Sequence, residues 1–456
     1  MSAFAVCPIA DEALGNTSYV VDAGDGVAIS VDPRRDAEDH LRIASERGLT
    51  IAAVLETHLH ADFVSGAPEV AAAAGATIVA AAEAQLDVAH TPVRDGERLR
   101  FGRVAVEVSS TPGHTPEHIS YALSGGSDAA LFSGGSLIVG GAARTDLTGA
   151  QRTQELARAQ YASLRRLATL PDTTALYPTH GAGSFCSTGP AKSSASTIGT
   201  ERRSNRLFSI EDEDGFVREL LAGFGSFPRY FASLRQVNRA GAAPLASLPP
   251  VPELDAADAH RLVHAGAWLM DGRPAKEWAR AHAEGSVSNE LRPAFASWLG
   301  WVVPFGQPVV FMLEQGEIEE AARLARRIGY DRIQGWLRFA SWRDAGLPVS
   351  SVEMLPPDEV AERSKNGVTL VDVRQASELE SGRLPGAVHV DAGDIIAGTT
   401  PDGPVITYCE HGQRSSTAAS LLERRGVKVA NLAGGAHAWR KAGLPLERPS
   451  LERPSR

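Results

Sequence analysis

The chain has 456 residues, of which 43% are hydrophobic and 22% charged, and its formal net charge is -10. This length exceeds one ordinary core, so we expect two to four domains. The acidic balance disfavours a nucleic-acid partner, and no apolar run reaches the ~20 residues of a membrane helix. The first residues do not resemble a secretory signal, and the three cysteines are too far apart in sequence for a disulfide framework. These features predict a cytoplasmic protein.

Residues 1 to about 185 alternate short apolar runs with alanine-rich stretches. Predicted strands are SYVVDA, GVAISVD, IAAVLETH, TIVAA, VAVEVSS and AALFSG, and predicted helices are DAEDHLRIASERG and APEVAAAAGA. This alternation indicates a layered α/β domain rather than a helix bundle. A Ser, Thr and Gly-rich segment from Ser187 to about Asn205 predicts a surface loop. Two helical stretches, FVRELLAGF and YFASLRQVN, then precede the Pro-rich linker LASLPPVPEL.

An internal repeat follows the linker. WRDAGLPV begins at Trp342 and WRKAGLPL at Trp439, an offset of 439 − 342 = 97 residues. LMDGRPAKEW likewise matches LVDVRQASEL, and PVVFMLEQG matches PVITYCEHG, in the same order. Three matches in one order indicate a duplicated domain, here called the first copy (residues 252–350) and the second copy (residues 355–450). Each copy should form a small doubly wound α/β unit.

In the second copy, Cys409 ends an apolar strand and precedes a short loop and a predicted helix. Such a loop directs backbone N–H groups inward, and the helix N-terminus adds partial positive charge, so a thiolate or persulfide would be stabilised. Arg414 adds a fixed cation for an anionic sulfur donor. The strand–Cys–loop–helix order favours a reactive thiolate over a buried structural cysteine.

CEHGQRS resembles the rhodanese active-site loop, VDVR with Glu378 and GRLPGAVHV resembles the rhodanese entry motif, and LAGGAHAWRKAGLP resembles the closing motif. Arg383 departs from the histidine more common there. The resemblance implies a sulfurtransferase whose site contains Cys409, Glu410, His411, Gly412, Gln413, Arg414, Ser415, Asp372 and Arg374. In the first copy Leu313 and Ile318 stand at the cysteine and arginine positions, which predicts an inactive copy because no persulfide can form.

A second group of reactive side chains lies in the first 185 residues. His58, His60 and Asp62 alternate after a predicted strand, so their side chains should point the same way. His114 follows in TPGHTPEHIS, and His180 follows another apolar strand in LYPTHGAGS. Histidines and carboxylates gathered at strand ends are typical of a transition-metal site.

These motifs, with LFSGG, GAARTDL, THGAGSFCS and STIGTERRSN, resemble the metallo-β-lactamase-fold persulfide dioxygenases fused to rhodanese domains. The resemblance implies an αββα sandwich over residues 1–245, with a helical extension, followed by the two copies. It also implies one ferrous ion, zinc being the alternative, on His58, His114 and an aspartate. Gly135 stands at the aspartate position, and Phe63 replaces a histidine that two-metal hydrolases use. We therefore expect weak iron binding, with His60, Asp62 and His180 as the residues that would complete a site.

Three functions remain open: a fused persulfide dioxygenase and sulfurtransferase, a sulfurtransferase alone, or a non-catalytic persulfide sensor. The expected partners are small sulfur compounds, namely a thiol persulfide, thiosulfate and sulfite, and the sequence leaves open whether the chain forms a homo-oligomer. Cys186 lies six residues after His180, and the sequence leaves open an accessible thiol or an inert packed one.

Overall fold

The computed structural model describes residues 3–181, 183–187 and 196–447. The chain divides into two compact units. Unit 1 comprises residues 1–224, 229–249 and 326–329, and unit 2 comprises residues 225–228, 250–325 and 330–456. The change of unit at residues 249 and 250 falls inside the predicted Pro-rich linker. Unit 2 holds the second copy of the repeat and all of the first copy except residues 326–329. The predicted end of the second copy, at residues 448–450, lies outside the described residues.

The first sheet of unit 1 has six strands that lie in chain order. They are β1 (Ala5–Asp11), β2 (Asn16–Asp22), β3 (Val27–Val31), β4 (Thr50–Leu55), β5 (Thr77–Ala81) and β6 (Thr91–Val93). Pairing is antiparallel from β1 to β3 and parallel from β3 to β6. Parallel neighbours require crossovers, and helices α1 (Glu38–Glu46) and α2 (Ala67–Ala74) supply two of them.

The second sheet also has six strands, with β12 at one edge and β7 at the other. They are β7 (Arg98–Phe101), β8 (Val104–Ser110), β9 (Ile119–Gly125), β10 (Asp128–Gly134), β11 (Ala175–Pro178) and β12 (Ser196–Thr197). The helices of this part are α3 (Ala150–Leu167), α4 (Ile198–Ser204), α5 (Arg206–Ser209), α6 (Glu213–Ala222) and α7 (Phe231–Ala240). The crossover α3 joins the one parallel pair, β10 and β11.

The main core of unit 1 lies between these sheets. The ring of Tyr19 on β2 meets Phe132 on β10 edge-on, with 5.1 Å between centroids, and both side chains are buried. Helices α1 and α2 cover the outer face of the first sheet, and α3 covers that of the second. This arrangement confirms the predicted αββα sandwich.

One local prediction in unit 1 was wrong. The segment read as a surface loop contains helix α4, because the Thr197 hydroxyl accepts the Thr200 N–H and caps its first turn. Residues 188–195 of that predicted loop lie outside the described residues.

Unit 2 contains two parallel sheets and one two-stranded antiparallel sheet, with helices around them. The first copy contains α8 (Ala256–His264), β13 (Trp268–Asp271), α9 (Ala275–Arg280), β14 (His282–Ala283), β15 (Val287–Ser288), α10 (Phe295–Val302), β16 (Val309–Met312), α11 (Ile318–Arg327), β17 (Ile333–Leu337), α12 (Phe339–Asp344) and β18 (Val349–Ser350). The second contains β19 (Glu353–Leu355), α13 (Pro357–Ser364), β20 (Thr369–Asp372), β21 (Val388–His389), α14 (Ala392–Ala397), β22 (Val405–Tyr408), α15 (Gln413–Glu423), β23 (Val429–Leu432) and α16 (Gly435–Lys441).

Strand order supports the duplication. The first sheet runs β15-β13-β16-β17 and the second β19-β23-β22-β20-β21, so the central pairs β13–β16 and β20–β22 correspond.

Within residues 3–181, 183–187 and 196–447, no helix has the length and apolarity needed to cross a membrane. Short 3₁₀ turns occur at Ala82–Ala84, Leu245–Ser247 and Ala376–Ser381.

Candidate functional sites

The predicted metal residues meet at the strand ends of unit 1. His58 follows β4, His114 follows β8 and His180 follows β11, and all three side chains are buried. One nitrogen from each ring lies within 4.8 Å of the other two. These residues lie together because β4, β8 and β11 all end at the same side of the sandwich. The structure therefore gathers three imidazoles that are far apart in sequence.

The hydrogen bonds of His58 and His114 decide which ring nitrogen carries the proton. Thr57 Oγ1 donates to Asp32 Oδ2 over 2.7 Å, so it must accept its 2.8 Å bond from His58 Nδ1–H. His114 Nδ1–H donates to the Arg144 carbonyl over 2.7 Å. Both rings thus carry their proton on Nδ1, which leaves each Nε2 with a bare lone pair.

His180 has the same tautomer. The Asn16 amide nitrogen donates to Asp62 over 2.8 Å, which turns its oxygen towards His180 Nδ1–H at 3.0 Å. The bare Nε2 atoms of His58 and His180 then face each other at 3.3 Å, and His114 Nε2 is buried without a partner among the described residues. Converging lone pairs repel one another unless a cation lies between them. The three rings therefore fit a divalent transition-metal ion.

The electrostatics of the cluster favour neutral imidazoles. Burial, with the neighbouring histidines, holds the pKa of His58 and of His114 well below the usual range. Burial also lowers the pKa of His180 to about 3. Neutral imidazole is the form that binds a metal ion, so these rings are ready to act as ligands at neutral pH.

His60 lies in a more acidic environment. Its Nε2 is 3.4 Å from Asp32 and 3.7 Å from Glu56, and its ring stacks on Phe63 with 4.2 Å between centroids. Burial opposes its charge, yet the two carboxylates raise the pKa of His60. His60 belongs to two other sets of three donor atoms that lie within 4.8 Å of one another, one with Asp32 and His58 and one with Asp62 and His180. All five predicted metal residues thus lie in one buried cluster.

Asp32 is a central residue of this cluster that the sequence interpretation missed. It accepts hydrogen bonds from the Thr57 backbone N–H and hydroxyl and from the Thr179 hydroxyl, and it is fully buried. Its φ of 46° places the backbone in the left-handed region, which aspartate adopts more readily than most residues. A polar residue ending the predicted strand GVAISVD was the available signal.

His118 is a second missed residue. Its ring stacks on His58 with 5.0 Å between centroids, and its Nε2 accepts the Gly135 N–H over 3.0 Å. A Cβ atom on Gly135 would lie 2.5 Å from His114 Cδ2, so the His114 ring occupies the space of a side chain there. An aspartate at position 135 would require His114 to move.

Helix α7 holds the segment that carries His60 and Asp62. The Tyr230 hydroxyl, just before this helix, donates to the Asp62 carbonyl over 2.8 Å. The Asn238 amide nitrogen donates to the carbonyls of His60 and Phe63 over 2.7 and 2.9 Å. These bonds to backbone atoms explain why the predicted helical extension forms part of the site.

A small, partly open pocket reaches the cluster. His58 and Glu56 lie on its wall, and most of the remaining wall is apolar, including Ile78, Leu86 and Val88.

Cys186 is close to the cluster but is not accessible. Its side chain is fully buried, and burial, with the nearby Asp62 carboxylate, raises the pKa of the thiol well above the usual range. A buried thiol with a raised pKa reacts slowly, so the hypothesis of an accessible sulfur-accepting thiol was wrong.

In unit 2, Cys409 lies in a nest of hydrogen-bond donors. The Gly412 N–H donates to Cys409 Sγ over 3.1 Å, and the Ser415 hydroxyl donates to it over 3.6 Å. Helix α15 begins at Gln413, directly beneath the sulfur-bearing loop, with Gly412 at φ 99° as its cap. Backbone donors and a helix N-terminus stabilise negative charge on sulfur, as the sequence predicted.

The charged residues of this loop are mostly paired. Arg414 donates to both oxygens of Glu378, over 2.6 and 2.7 Å. Burial opposes its charge, but Glu378 and the Cys409 sulfur raise the pKa of Arg414. Glu410 forms an ion pair with Arg440, and the side chain of His411 is exposed.

Asp372 and Arg374 support the Cys409 loop from the protein interior. Arg374 is fully buried, donates to Asp372 over 2.6 Å and 2.9 Å, and donates to the Gly382 carbonyl over 2.8 Å. Its guanidinium also lies 5.8 Å from the ring centre of Tyr408, the residue that precedes Cys409. Because these groups bond to each other and to the protein interior, we interpret them as positioning residues.

The first copy repeats this support without the thiol. Arg273 donates to Asp271 over the same 2.6 and 2.9 Å, while Leu313 stands buried at the strand end where the second copy has Cys409.

Comparison with known proteins identifies the class of protein. Residues 12–180 match the Metallo-beta-lactamase superfamily and residues 356–442 match the Rhodanese-like domain. A solved structure, described as a metallo-beta-lactamase from Staphylococcus aureus subsp. aureus COL, superposes with a TM-score of 0.68 and 28% identity. That superposition covers 74% of this chain and all of the other.

Curated relatives sharpen the assignment. Mitochondrial persulfide dioxygenase ETHE1 of Homo sapiens is 30% identical over 196 residues, 42% of this chain and 70% of the relative. Hydroxyacylglutathione hydrolase of Methylobacillus flagellatus is 37% identical over 34% of this chain, and the match spans 58% of that enzyme. Thiosulfate sulfurtransferase GlpE of Pseudomonas putida is 35% identical over 104 residues, 22% of this chain and 94% of the relative. The chain belongs to the ETHE1-like family of the metallo-β-lactamase superfamily and carries a C-terminal rhodanese-like domain.

Proposed function

We propose that this protein is an enzyme of persulfide metabolism in which Cys409 carries sulfane sulfur and the histidine cluster of unit 1 holds one metal ion for persulfide oxidation. The observation that carries the proposal is the 3.1 Å hydrogen bond from the Gly412 N–H to Cys409 Sγ at the start of α15. A sulfur held by a backbone donor and a helix N-terminus is stabilised as an anion, both as thiolate and as persulfide.

The transfer begins at the Cys409 thiolate. It attacks the outer sulfur of thiosulfate, a new S–S bond forms on Cys409, and the bond to the sulfonate sulfur breaks with its electron pair leaving on sulfite. An acceptor thiolate then attacks the outer sulfur of the Cys409 persulfide and restores the thiolate. As written with thiolates, neither step takes up or releases a proton, so the site needs donors for an anion rather than a proton relay.

Each loop residue has a proposed part in this reaction. The Gly412 N–H and the Ser415 hydroxyl stabilise the sulfur anion. Arg414 contributes a cation that Glu378 holds in place. Glu410, His411 and Gln413 shape the rim of the loop, and His411 is exposed enough to meet a donor. Asp372 and Arg374 keep β20 and the loop in register.

In unit 1 the proposed metal ligands are His58, His114 and His180, supported by their converging bare Nε2 atoms. His180 would then replace the aspartate that is missing at Gly135. A ferrous ion bound there would supply the redox chemistry that oxidation of a persulfide by O₂ requires, while three imidazoles also suit zinc. His60 and Asp62 orient the neighbouring groups through their bonds to Asp32, Glu56 and Asn16.

A sulfurtransferase without oxidation is the second candidate, and Gly135 favours it. The ferrous site of the family has a carboxylate at this position, and His114 fills that space here. Iron and zinc analysis of the purified protein, together with persulfide-dependent O₂ uptake, separates the two candidates. Near-stoichiometric iron with brisk uptake supports the fused enzyme, whereas zinc or no metal with no uptake supports sulfur transfer alone.

Substitution of the sulfur carrier tests the common part of both candidates. Cys409→Ser should lower thiosulfate–cyanide sulfur transfer by at least about 100-fold, because a hydroxyl cannot form a persulfide. Cys186→Ser is the matched control, since its buried thiol should leave transfer unchanged. Cys409→Ser protein that keeps its thermal unfolding profile and still turns over within a few-fold of wild type would contradict the proposal.

A further inference from the structure

The cations around Cys409 differ in whether they already have an anionic partner. Arg414 is bound through two hydrogen bonds to Glu378, Arg374 is bound to Asp372, and Arg440 is paired with Glu410. Each of these guanidinium groups is largely compensated before any donor arrives. A dianionic sulfur donor therefore gains less from them than a simple count of arginines suggests.

Arg292 is different. It belongs to the first copy, between β15 and α10, and it is half-buried. No hydrogen bond or ion pair to its guanidinium occurs among residues 3–181, 183–187 and 196–447. Glu290, the Cys409 sulfur and Arg414 are near enough to act electrostatically on this guanidinium, and the contacts of Ser288 with Thr417 and Ser420 place its segment against α15, on the side that carries Cys409.

Contacts between the first and second copies hold both ends of the segment that contains Arg292. The Thr417 hydroxyl of α15 donates to the Ser288 carbonyl over 2.7 Å, and the Ser288 N–H donates to Ser420 over 3.3 Å. On the other side, Trp301 of α10 lies against α14, where a Cβ on Gly393 would come within 2.9 Å of its ring. The chain between β15 and α10 is thus held at both ends beside the N-terminus of α15.

The far end of α15 is held as well. His282 of the first copy binds Glu423 over 2.8 Å, and the Ser350 hydroxyl donates to the same carboxylate over 2.6 Å. With Ser288 at its middle and His282 at its end, the helix under Cys409 is packed along its length against the first copy. This packing limits the movement of Arg292 relative to the sulfur.

We propose that Arg292 binds the oxyanion of the sulfur donor, the sulfonate of thiosulfate, and stabilises it as it leaves as sulfite. The assignment rests on the proposed sulfur transfer at Cys409. The transferred sulfur lies over Cys409, its sulfonate extends towards the first copy, and Arg292 supplies two or more N–H donors without breaking an existing ion pair. The first copy has no thiol, yet it contributes a specificity-determining residue.

Steady-state kinetics with two donors test this role. Arg292→Gln should raise KM for thiosulfate by about 10- to 100-fold, the loss expected for a charged hydrogen-bonded pair. KM for the persulfide of 2-mercaptoethanol, a donor without an oxyanion, should change less than threefold. Arg292→Lys should recover part of the loss because it keeps the charge. Arg280→Gln, on an exposed arginine of the same copy, is the control and should leave both donors unchanged.

Binding measurements separate this inference from sulfur transfer itself. Calorimetric titration of thiosulfate into Cys409→Ser protein should give a dissociation constant about 10- to 100-fold tighter than the same titration into Cys409→Ser, Arg292→Gln protein. Equal affinities, or equal losses for both donors in the kinetic experiment, would overturn the role of Arg292. A third outcome is possible: thiosulfate binding depends on Arg292, but the wild-type protein transfers no sulfur. That outcome would overturn the proposed function and leave the role of Arg292 in binding intact.

Discussion

At the scale of single residues, the proton positions of three histidines decide what unit 1 can bind. Each Nδ1 donates to a fixed acceptor, so each Nε2 is a free ligand. His180→Ala should lower metal affinity by at least about 10- to 100-fold, the cost of losing even an outer partner of a ligand. His90→Ala is a matched control because, among the residues that the structure describes, His90 bonds only to the nearby Val88 carbonyl. Metal content after dialysis against a weak chelator measures the effect, and equal retention by His180→Ala and wild type would contradict the three-histidine site.

Gly135 has no side chain, and this leaves space for the His114 ring. Gly135→Ala should destabilise the fold by about 1–3 kcal/mol and lower metal content, because the added Cβ would lie 2.5 Å from the His114 ring. Gly135→Asp adds a carboxylate at the cost of the same clash. Thermal unfolding and metal analysis of both variants distinguish the effects. Iron content that rises above wild type in Gly135→Asp alone would show that His114 moves aside and that the aspartate becomes a ligand.

Glu378 gives the Cys409 loop a pH dependence with a definite sign. Burial raises its pKa, but Arg414 outweighs burial and lowers the pKa of Glu378 below the ordinary value. Stability from this pair is therefore present above about pH 4.3 and is lost as pH falls through the folded pKa. Glu378→Gln should reduce the free energy of unfolding by about 1 kcal/mol at pH 7 and by progressively less as the pH falls towards 3. Urea unfolding across that range measures the difference, with the exposed Glu380→Gln as control. A loss that is constant with pH would contradict the ion pair.

At the scale of elements, the loop between β22 and α15 depends on one left-handed glycine. Gly412 has φ 99° and donates to Cys409 Sγ, while Gly426, beyond the other end of α15, has φ 79° and open space around it. Gly412→Ala and Gly426→Ala should each cost about 1 kcal/mol of stability through backbone strain. Sulfur transfer should fall at least about tenfold in Gly412→Ala only, since one misdirected donor to charged sulfur costs this much. Equal transfer by both variants would contradict the role of the Gly412 N–H.

Most regular elements of unit 1 followed from the sequence. Six predicted strands and the helices α1 and α2 were found near their expected positions because short apolar runs and alanine-rich stretches are local signals. Helix α4 was missed since its Thr197 cap lies inside a polar segment that resembles a loop. The 18-residue α3 was not predicted either, because its Ala, Gln and Arg side chains give a weak apolar face. Periodicity detects buried stripes and fails where polar caps or short side chains decide the structure.

At the scale of the whole molecule, the histidine cluster lies entirely in unit 1 and the Cys409 loop entirely in unit 2. Removal of metal with a chelator, or His58→Ala, should therefore leave thiosulfate–cyanide transfer within twofold of wild type, because no ligand of one site belongs to the other. Cys409→Ser should likewise leave metal content unchanged. A parallel loss of both properties would show that the two sites depend on each other.

The candidate sites were predictable to different extents. Motif residues such as Cys409, His58 and His114 are visible because their chemistry is unusual at strand ends. Asp32 and His118 were missed since their importance comes from bonds to residues distant in sequence. Arg292 was missed for a similar reason: it lies in a segment without a motif, and only the packing of the two copies brings it to the sulfur.

The contacts that hold α15 also give the first copy, which has no thiol, a structural role. After a duplication, a copy that has lost its chemistry is normally free to decay or be deleted. Here Ser288 and His282 contact the helix whose N-terminus lies under Cys409, so deletion of the first copy would remove support from the Cys409 loop. A copy without a thiol therefore still has a structural use, because the second copy depends on its contacts and not on its chemistry.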